Sequence, residues 1–199
     1  GALNSLAQTL LRLTTPGVPD LYQGTEFWDF GLVDPDNRRP VDFDRRVASL
    51  DRTPERRELL EHWRDGRIKQ WLIRCVLAVR GAQPQLFSLG AYLPLEVEGE
   101  NADRVLAFAR RYEGDYVLVV APVRSAHLLG ETELPLIPAA SWGDTRVRIP
   151  AALADTELSS LFSARSIRPA DGCIALTEVL ADFPVNLLCS TPHCQECML

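Results

Sequence analysis

The sequence contains 199 residues, of which 46% are hydrophobic, so the chain is long enough to bury a core in one domain or in two small ones. Its 21 Lys and Arg residues against 27 Asp and Glu residues give a net charge of −6, with no long basic block. This balance argues against nucleic acid or an anionic membrane as partner and favours a neutral ligand. No apolar run approaches the roughly 18 to 20 residues that span a bilayer, and no secretion signal is evident. We therefore expect a cytoplasmic protein.

The N-terminal segment "ALNSLAQTLLRL" predicts an amphipathic helix, because its apolar residues share one helical face and Pro16-Gly17 ends the pattern. The next run, "GVPDLYQG", has Pro near its start and Gly at its end, which predicts a short buried strand. A long polar loop, "TEFWDFGLVDPDNRRPVDF", then follows. The segment "TPERRELLEHWRDG" predicts a second helix, with Thr53 as its N-cap, Pro54 in its first turn and Gly66 at its end.

The clearest helical pattern lies in "RIKQWLIRCVLAVRGAQ". Its apolar residues recur at the spacing of one helical face, and they are Ile68, Trp71, Leu72, Cys75, Val76 and Val79. We interpret this stripe, including Trp71 and Cys75, as core packing rather than a cofactor site.

After "GAQPQLFSLG" the hydrophobic period changes from about 3.6 to 2, which predicts a domain boundary near Ser88. The segments that follow are short, β-branched or aromatic, and separated by Gly, Pro, Asn or Asp. They are "AYLPLEVEG", "RVLAFARRY", "YVLVVAPV", "TRVRIP", "SARSI", "CIALTE" and "VNLLC". They indicate an antiparallel sandwich, and Glu113-Gly114-Asp115 supplies the turn of its clearest hairpin.

The order of elements is therefore helix, buried strand, long polar loop, helices and an all-β tail. A (β/α)8 barrel with an appended C-terminal sandwich ends in this order. The predicted fold class is α+β, with the helical end of a (β/α)8 barrel over residues 1–88 and an antiparallel C-terminal β-sandwich over residues 89–199. In such a barrel the polar loop would lie on the catalytic face.

The segment "TPGVPDLYQGTEFWDFGLVDPDNRRPVDF" closely resembles the eighth-strand region of maltooligosyl trehalose synthases, a branch of the α-amylase superfamily. "NSLAQTLLRLTTPG" is similar to the preceding helix, and "IKQWLIRCVLAVRGAQPQLFSLGAYLPL" to the last barrel helix and the entry into the sandwich. The chain's "FPVNLLC" is similar to the family's C-terminal "FPVALL". The resemblance is dense over residues 4–43, moderate over 67–123 and thin over 124–180.

The resemblance implies an enzyme that converts the reducing-end α-1,4 bond of a maltooligosaccharide into an α,α-1,1 bond, forming maltooligosyl trehalose by intramolecular transglucosylation. This chemistry uses a carboxylate nucleophile and a carboxylic acid about 5 to 5.5 Å apart, in a site shielded from water. In this superfamily the reactive acids follow the fourth, fifth and seventh strands, ahead of the region that the resemblance covers. The sequence contains no His-Asp pair and no "GxRxDH"-like motif. We therefore expect a C-terminal fragment that is inactive alone, with the missing N-terminal part of the barrel as its partner.

In amylase relatives with "DPDxRxP" in this loop, the first Asp and the Arg contact glucose hydroxyls, which implies the same role for Asp34 and Arg38. A carboxylate accepts from two adjacent hydroxyls, and a guanidinium donates in a planar fork. The alternative is that both residues form ion pairs with each other, or with Asp36 and Arg39, and only rigidify the loop. Asn37 either contacts the ligand or forms the turn of "DPDN".

Tyr22 and Gln23 are predicted to contact substrate where the strand opens onto the catalytic face, because Tyr can stack on a glucose ring. The alternative for both is support of the missing carboxylates, and for Glu26 that supporting role is favoured. Trp28 and Phe30 form either a sugar platform or, as is more usual in such loops, a small core of the loop itself.

The five cysteines do not form the pattern of a disulfide framework, since Cys75, Cys173 and Cys189 are scattered, and we expect reduced thiols. "HCQEC", from His193 to Cys197, has the Cys-x-x-Cys spacing of half a zinc or redox site. A second pair of ligands is not evident nearby, and the segment lies where chains fray. We expect no metal and no cofactor.

A rival class of function is a non-catalytic glucan-binding β-sandwich module. Such modules usually expose aromatic side chains, whereas the aromatics of the β half fall largely at positions that we expect to be buried. The exposure of Trp142 therefore discriminates between the two classes. In either case, one barrel strand and its helices without their neighbours would expose apolar surface, which predicts self-association.

Overall fold

The structure, a computed structural model, describes residues 1–31, 40–51 and 54–191. The helices in these residues are α1 (Ala2–Thr14), α2 (Phe43–Leu50), α3 (Arg56–Glu61), α4 (Arg67–Ala82), α5 (Pro84–Ser88) and α6 (Leu176–Val179). The strands are β1 (Ala91–Pro94), β2 (Val97–Glu98), β3 (Val105–Tyr112), β4 (Asp115–Pro122), β5 (Arg146–Arg148), β6 (Leu158–Ser160), β7 (Ser166–Ile167), β8 (Cys173–Ala175) and β9 (Asn186–Cys189).

The strands form two antiparallel sheets, so the prediction of an α+β protein with antiparallel sheets is confirmed. One sheet has six strands in the order β1-β3-β4-β9-β6-β7, and the other has three in the order β2-β5-β8. The predicted hairpin is also confirmed, since β3 pairs with β4 and Tyr112 lies opposite Asp115. Glu113 in its turn takes a left-handed φ of 53°.

Helices α1 and α4 follow the sequence predictions, and both bury one apolar face. The predicted second helix is shorter than expected. Glu55 keeps an extended ψ of 141°, so α3 begins only at Arg56, and the predicted N-cap Thr53 lies outside the described residues. Gly66 ends the segment as predicted, because its φ of 87° lies in the left-handed region.

The predicted buried strand in "GVPDLYQG" is wrong. Residues 17–24 contain no strand, and Val18 is 97% exposed. A strand requires a neighbouring strand to satisfy its backbone groups, and no strand in the described part of the chain pairs with this segment. The segment instead makes a turn in which the Thr25 amide donates to the Tyr22 carbonyl oxygen at 3.1 Å.

The central strand β4 of the six-stranded sheet is buried on both faces. Along β4, Val117 and Val119 pack in one core cluster with α1 and α4, whereas Leu118 and Val120 pack in a second cluster. The second cluster also contains residues of the three-stranded sheet and Trp142, which is 0% exposed. Side chains alternate across a strand, so β4 links the two clusters. The division of the chain into domains at residue 88 stays a prediction.

The cysteines differ in state. Cys75 and Cys173 are buried free thiols, and burial raises the pKa of Cys75 to about 12. Cys189 is disulfide-bonded, so the expectation of a reduced thiol is wrong there. The "HCQEC" segment lies outside the described residues, so the prediction that it binds no metal is untested. None of the helices that the structure describes is long and apolar enough to cross a membrane.

Arg110 of β3 joins the sheet to the ends of two helices. It is 1% exposed, and its guanidinium donates to the carbonyl oxygens of Thr14 at 3.1 Å, Phe87 at 3.0 Å and Gly90 at 2.8 Å. Carbonyls at helix C-termini lack partners within the helix and carry partial negative charge. A buried cation therefore satisfies groups at the ends of α1 and α5 that the core would otherwise leave unbonded.

We predict that Arg110→Met lowers the free energy of unfolding by about 2–4 kcal/mol, because it leaves buried carbonyl oxygens without a donor. Urea unfolding followed by circular dichroism measures this change. The matched control is Arg111→Met at the exposed neighbouring position, which should change stability by less than about 0.5 kcal/mol. Equal effects of the two substitutions would contradict the role given to Arg110.

Candidate functional site

A concave pocket of about 400 Å³ lies where the polar loop approaches the start of α2. It is lined by Tyr22, Gln23, Gly24, Trp28, Asp29, Phe30, Gly31, Pro40, Val41, Asp42 and Arg46. Two of the predicted substrate-binding residues, Tyr22 and Gln23, therefore lie together on one concave surface.

The other predicted substrate-binding residues, Asp34, Asn37 and Arg38, lie outside the described residues. The described chain stops at Gly31 and resumes at Pro40, and both of these residues line the pocket.

Arg46 of α2 holds the loop in place. Its Nη2 donates to the Gly24 carbonyl oxygen at 2.6 Å, and its Nη1 donates to the Asp42 carbonyl oxygen at 2.9 Å. Its Nε donates to Glu26 Oε2 at 3.1 Å. The Arg46 side chain is only 16% exposed. Each end of the guanidinium fork therefore bonds a different part of the pocket wall, and Glu26 supports the loop by pairing with Arg46.

Gly24 allows the two walls of the pocket to approach each other. Its φ of 88° lies in the left-handed region, and a Cβ placed there would lie 2.9 Å from Val41 Cγ2. Directly after Val41, Asp42 caps α2, since its Oδ1 accepts from the Arg45 amide at 2.9 Å. The residues at the entry of α2 thus fix both the helix and the loop opposite.

Trp28 and Phe30 have different roles. Trp28 donates from Nε1 to the Trp63 carbonyl oxygen at 2.7 Å, and the two indoles make an edge contact with centroids 6.3 Å apart. Trp28 therefore belongs to a small core of the loop, the alternative that the sequence favoured. Phe30 is 85% exposed and contributes to no such core. It lies beside the turn in which Asp29 Oδ1 accepts from the Gly31 amide at 2.8 Å.

Lys69 of α4 contacts the loop from below and was not predicted as a site residue. Lys69 is 8% exposed, and its Nζ donates to the Phe27 carbonyl oxygen at 3.3 Å. Burial lowers the pKa of Lys69, and the nearby charge of Arg12 lowers it further. One signal in the sequence could have identified this position, because Lys69 is the only lysine of the chain.

The pocket presents groups suited to a polyol. Tyr22 lines the pocket and is 51% exposed, so its phenol ring is accessible at the pocket wall. Gln23 is exposed and carries both a donor and an acceptor. An aromatic face beside an amide can stack on a sugar ring and hydrogen-bond its hydroxyls.

We predict that Arg46→Met accelerates hydrogen exchange of the Thr25 amide about tenfold, because the loop loses its charge-assisted anchor and opens locally. Amide exchange followed by NMR measures the effect. Arg45→Met on the same helix is the control and should leave this rate within about twofold, since Arg45 is exposed and does not bond the Gly24 carbonyl. An unchanged rate in Arg46→Met would show that other contacts hold the loop.

Lys69 gives a prediction about pH. Because its pKa is lowered in the folded protein, the unfolded chain binds more protons between that lowered value and the ordinary value of 10.5. The free energy of unfolding of the native chain should therefore rise, relative to that of Lys69→Met, as the pH increases through this window. Urea unfolding of both proteins over that pH range measures the difference. The single lysine also allows direct titration of its side chain by NMR, and an ordinary pKa would contradict the prediction.

The chain was compared with protein-family models, curated proteins and solved structures, and no family model matches it. A protein described as a putative maltooligosyl trehalose synthase from Mycobacterium tuberculosis (strain CDC 1551 / Oshkosh) is 38% identical over 189 residues, covering 93% of this chain and 20% of the relative.

Solved structures give the same result. The maltooligosyltrehalose synthase from Arthrobacter ramosus matches with 34% identity and a TM-score of 0.72, over 94% of this chain and 22% of that structure. An Anoxybacillus α-amylase shares the fold at 19% identity, with a TM-score of 0.57 over 94% of this chain and 32% of its own. Over nearly all of its length, the chain therefore belongs to the maltooligosyl trehalose synthase family, and it spans about 20% of the length of the curated relatives that it matches.

Proposed function

We propose that the chain is the C-terminal portion of an enzyme that converts the reducing-end α-1,4 linkage of maltooligosaccharides into an α,α-1,1 linkage by intramolecular transglucosylation. In this proposal residues 1–88 complete a catalytic (β/α)8 barrel, and residues 89–199 form its C-terminal β-sandwich. The observation that carries the proposal is the pocket anchored by Arg46, which lies in the segment whose sequence most resembles the eighth-strand region of the synthases.

The pocket and its flanking residues form the substrate-binding part of this proposal. Tyr22 offers a ring face to a glucose unit, and Gln23 offers hydrogen bonds to its hydroxyls. Asp34, Asn37 and Arg38 are proposed to bind further hydroxyls, because they lie in sequence between Gly31 and Pro40, which line the same pocket. A carboxylate and a guanidinium bind adjacent hydroxyls in complementary ways.

The carboxylates of the pocket that the structure describes have structural tasks. Asp42 caps α2 through Oδ1, and Asp29 closes a turn through Oδ1. We propose that the reactive acids belong to the remainder of the enzyme, so that the chain alone binds substrate without converting it. The proposed enzyme acts in the cytoplasm and needs no cofactor.

Exposed apolar side chains support the proposal that the chain associates with further protein. Val18, Phe30, Phe43, Val47 and Leu50 are each at least 43% exposed, and the last three recur along α2. The three residues of α2 recur at the spacing of one helical face, and exposed apolar surface of this kind marks interaction sites. In the proposed enzyme the rest of the barrel covers part of this surface, and the isolated chain self-associates through it.

The alternative, a glucan-binding sandwich module that acts without a barrel, is not favoured. Trp142 is fully buried, as are Phe108, Phe162 and Phe183. Tyr92 of β1 is 40% exposed, but its ring packs on Phe108 with centroids 4.8 Å apart. The β half therefore lacks, among its described residues, the pair of exposed neighbouring aromatics that such modules use to stack sugars.

A chimera tests the proposed function. The section of the Arthrobacter ramosus enzyme that matches this chain is replaced by residues 1–199. We expect the chimera to convert maltohexaose into a non-reducing product, measured as loss of reducing ends without release of glucose. The double substitution Asp34→Asn and Arg38→Gln should lower kcat/KM at least about tenfold, because charged hydrogen bonds to hydroxyls are lost.

The matched control is Arg148→Gln in the chimera. Arg148 pairs with Glu98 in the three-stranded sheet and does not line the pocket, so its loss should leave kcat/KM unchanged. A chimera that folds, as judged by circular dichroism, but leaves the reducing ends of maltohexaose intact would show that the proposed function is wrong.

A further inference from the structure

A groove of about 890 Å³ lies between the helical part and the β part of the chain, and it shares no lining residue with the pocket around Tyr22. Leu60 of α3, Trp71 of α4 and Leu136 contribute apolar surface to it. The opposite wall comes from the β part and includes Arg165 and Asp182. The groove has the size of a small-molecule site rather than of a packing defect.

Trp71 is held rigidly in this groove. Its ring lies against Phe162, with centroids 5.7 Å apart, and against Phe183, with centroids 5.4 Å apart. These two phenylalanine rings stack on each other at 5.0 Å and are buried. Trp71 packs against the core, as the helical stripe predicted, but it is only partly buried and also lines the groove. A bound ligand would therefore contact an aromatic surface whose orientation is already fixed, at little cost in side-chain entropy.

The indole N–H groups of the four tryptophans set Trp71 apart. Trp28 and Trp63 donate to carbonyl oxygens, at 2.7 Å and 2.9 Å. The Trp142 Nε1 is completely buried. In the described part of the chain, the Trp71 Nε1 is neither buried nor hydrogen-bonded to protein. A donor beside an exposed ring surface is therefore available to a ligand.

The groove is lined by charged side chains whose net charge is zero. Its charged lining residues in the described part of the chain are three acids and three arginines, namely Glu55, Glu61, Asp182, Arg56, Arg57 and Arg165. Arg57 pairs with Glu61 at 2.7 Å, and Arg165 pairs with Asp182 at 2.8 Å. All four side chains are at least 37% exposed, so each retains donor or acceptor sites for hydroxyl groups. A balanced wall gives no attraction to a polyanion and suits a neutral polyol.

We propose that this groove is a second saccharide site, which binds an α-1,4-linked glucan chain. A glucose ring stacks on Trp71, and the two ion pairs hydrogen-bond hydroxyls on either side. A glucan fits because each unit combines an apolar ring face with a rim of hydroxyls, which matches an aromatic surface between charged walls. The choice of glucan rests on the proposed function. The groove would bind long chains outside the pocket around Tyr22.

Fluorine NMR of the 199-residue chain labelled with 5-fluorotryptophan tests the proposal. Single Trp→Phe substitutions assign the four resonances. We expect maltoheptaose to shift the Trp71 resonance saturably, while that of buried Trp142 stays in place. A Trp71 resonance that does not respond to millimolar maltoheptaose would overturn the proposal. Trp28 lines the other pocket, so its resonance reports separately on the site of the proposed function.

Calorimetry with maltoheptaose provides the second measurement. Trp71→Phe keeps a ring on Phe162 and Phe183 but removes the indole, and should weaken binding to the groove about tenfold. Asp182→Asn, which leaves the aromatic surface intact, should weaken it about threefold or more. Glu98→Gln, a control in the three-stranded sheet that does not line the groove, should bind as the native chain does.

These variants distinguish failure of the groove proposal from failure of the proposed function. If Trp71→Phe and Asp182→Asn both bind maltoheptaose with native affinity and Tyr22→Ala abolishes binding, the groove is not a saccharide site. The pocket of the proposed function would then still stand. Binding that is lost in Trp71→Phe and unchanged in Tyr22→Ala would support the groove and count against Tyr22 as a substrate contact. Circular dichroism of each variant confirms that it folds.

Discussion

Cationic side chains that donate to main-chain carbonyl oxygens organise the helical part of this structure. Arg110 bonds three carbonyls at the ends of α1 and α5, and Arg80 donates to the Leu13 carbonyl at 2.7 Å. Arg46 and Lys69 do the same for the polar loop, at Gly24 and Phe27. Carbonyls at helix ends and in loops lack regular partners, so a long side chain that reaches them from a packed element fixes irregular backbone without a strand or helix.

This arrangement explains how residues 17–31, which form no helix or strand, can present a defined pocket. The anchors Arg46 and Lys69 approach the loop from α2 and α4, whereas Tyr22 and Gln23 lie at the pocket surface and are exposed. Hydrogen bonds to main-chain carbonyl oxygens hold this segment in place. The exposed side chains therefore remain available to a ligand. The same division between a fixed backbone and available side chains is common where loops on a rigid scaffold form binding sites.

Local patterns in the sequence were sufficient for some elements and insufficient for others. Helices α1 and α4 and the β3–β4 hairpin were predicted correctly, because their periodicity and turn residues lie within a single short segment. The strand at residues 17–24 was not formed, because pairing depends on a second segment rather than on composition. The contacts of Arg46 with Gly24 and of Lys69 with Phe27 span 22 and 42 positions, and no local rule identifies such pairs.

The position of Trp71 shows the same limit. Helical spacing placed it in the core stripe, but its aromatic partners, Phe162 and Phe183, come from loops distant in sequence, and Trp71 remains partly exposed in the groove. Trp63 lies between the pocket and the groove: it accepts from Trp28 and donates to the Glu133 carbonyl at 2.9 Å, next to the groove residue Leu134. Side chain to backbone bonds thus connect Trp63 to Trp28 at the pocket and to Glu133 beside the groove.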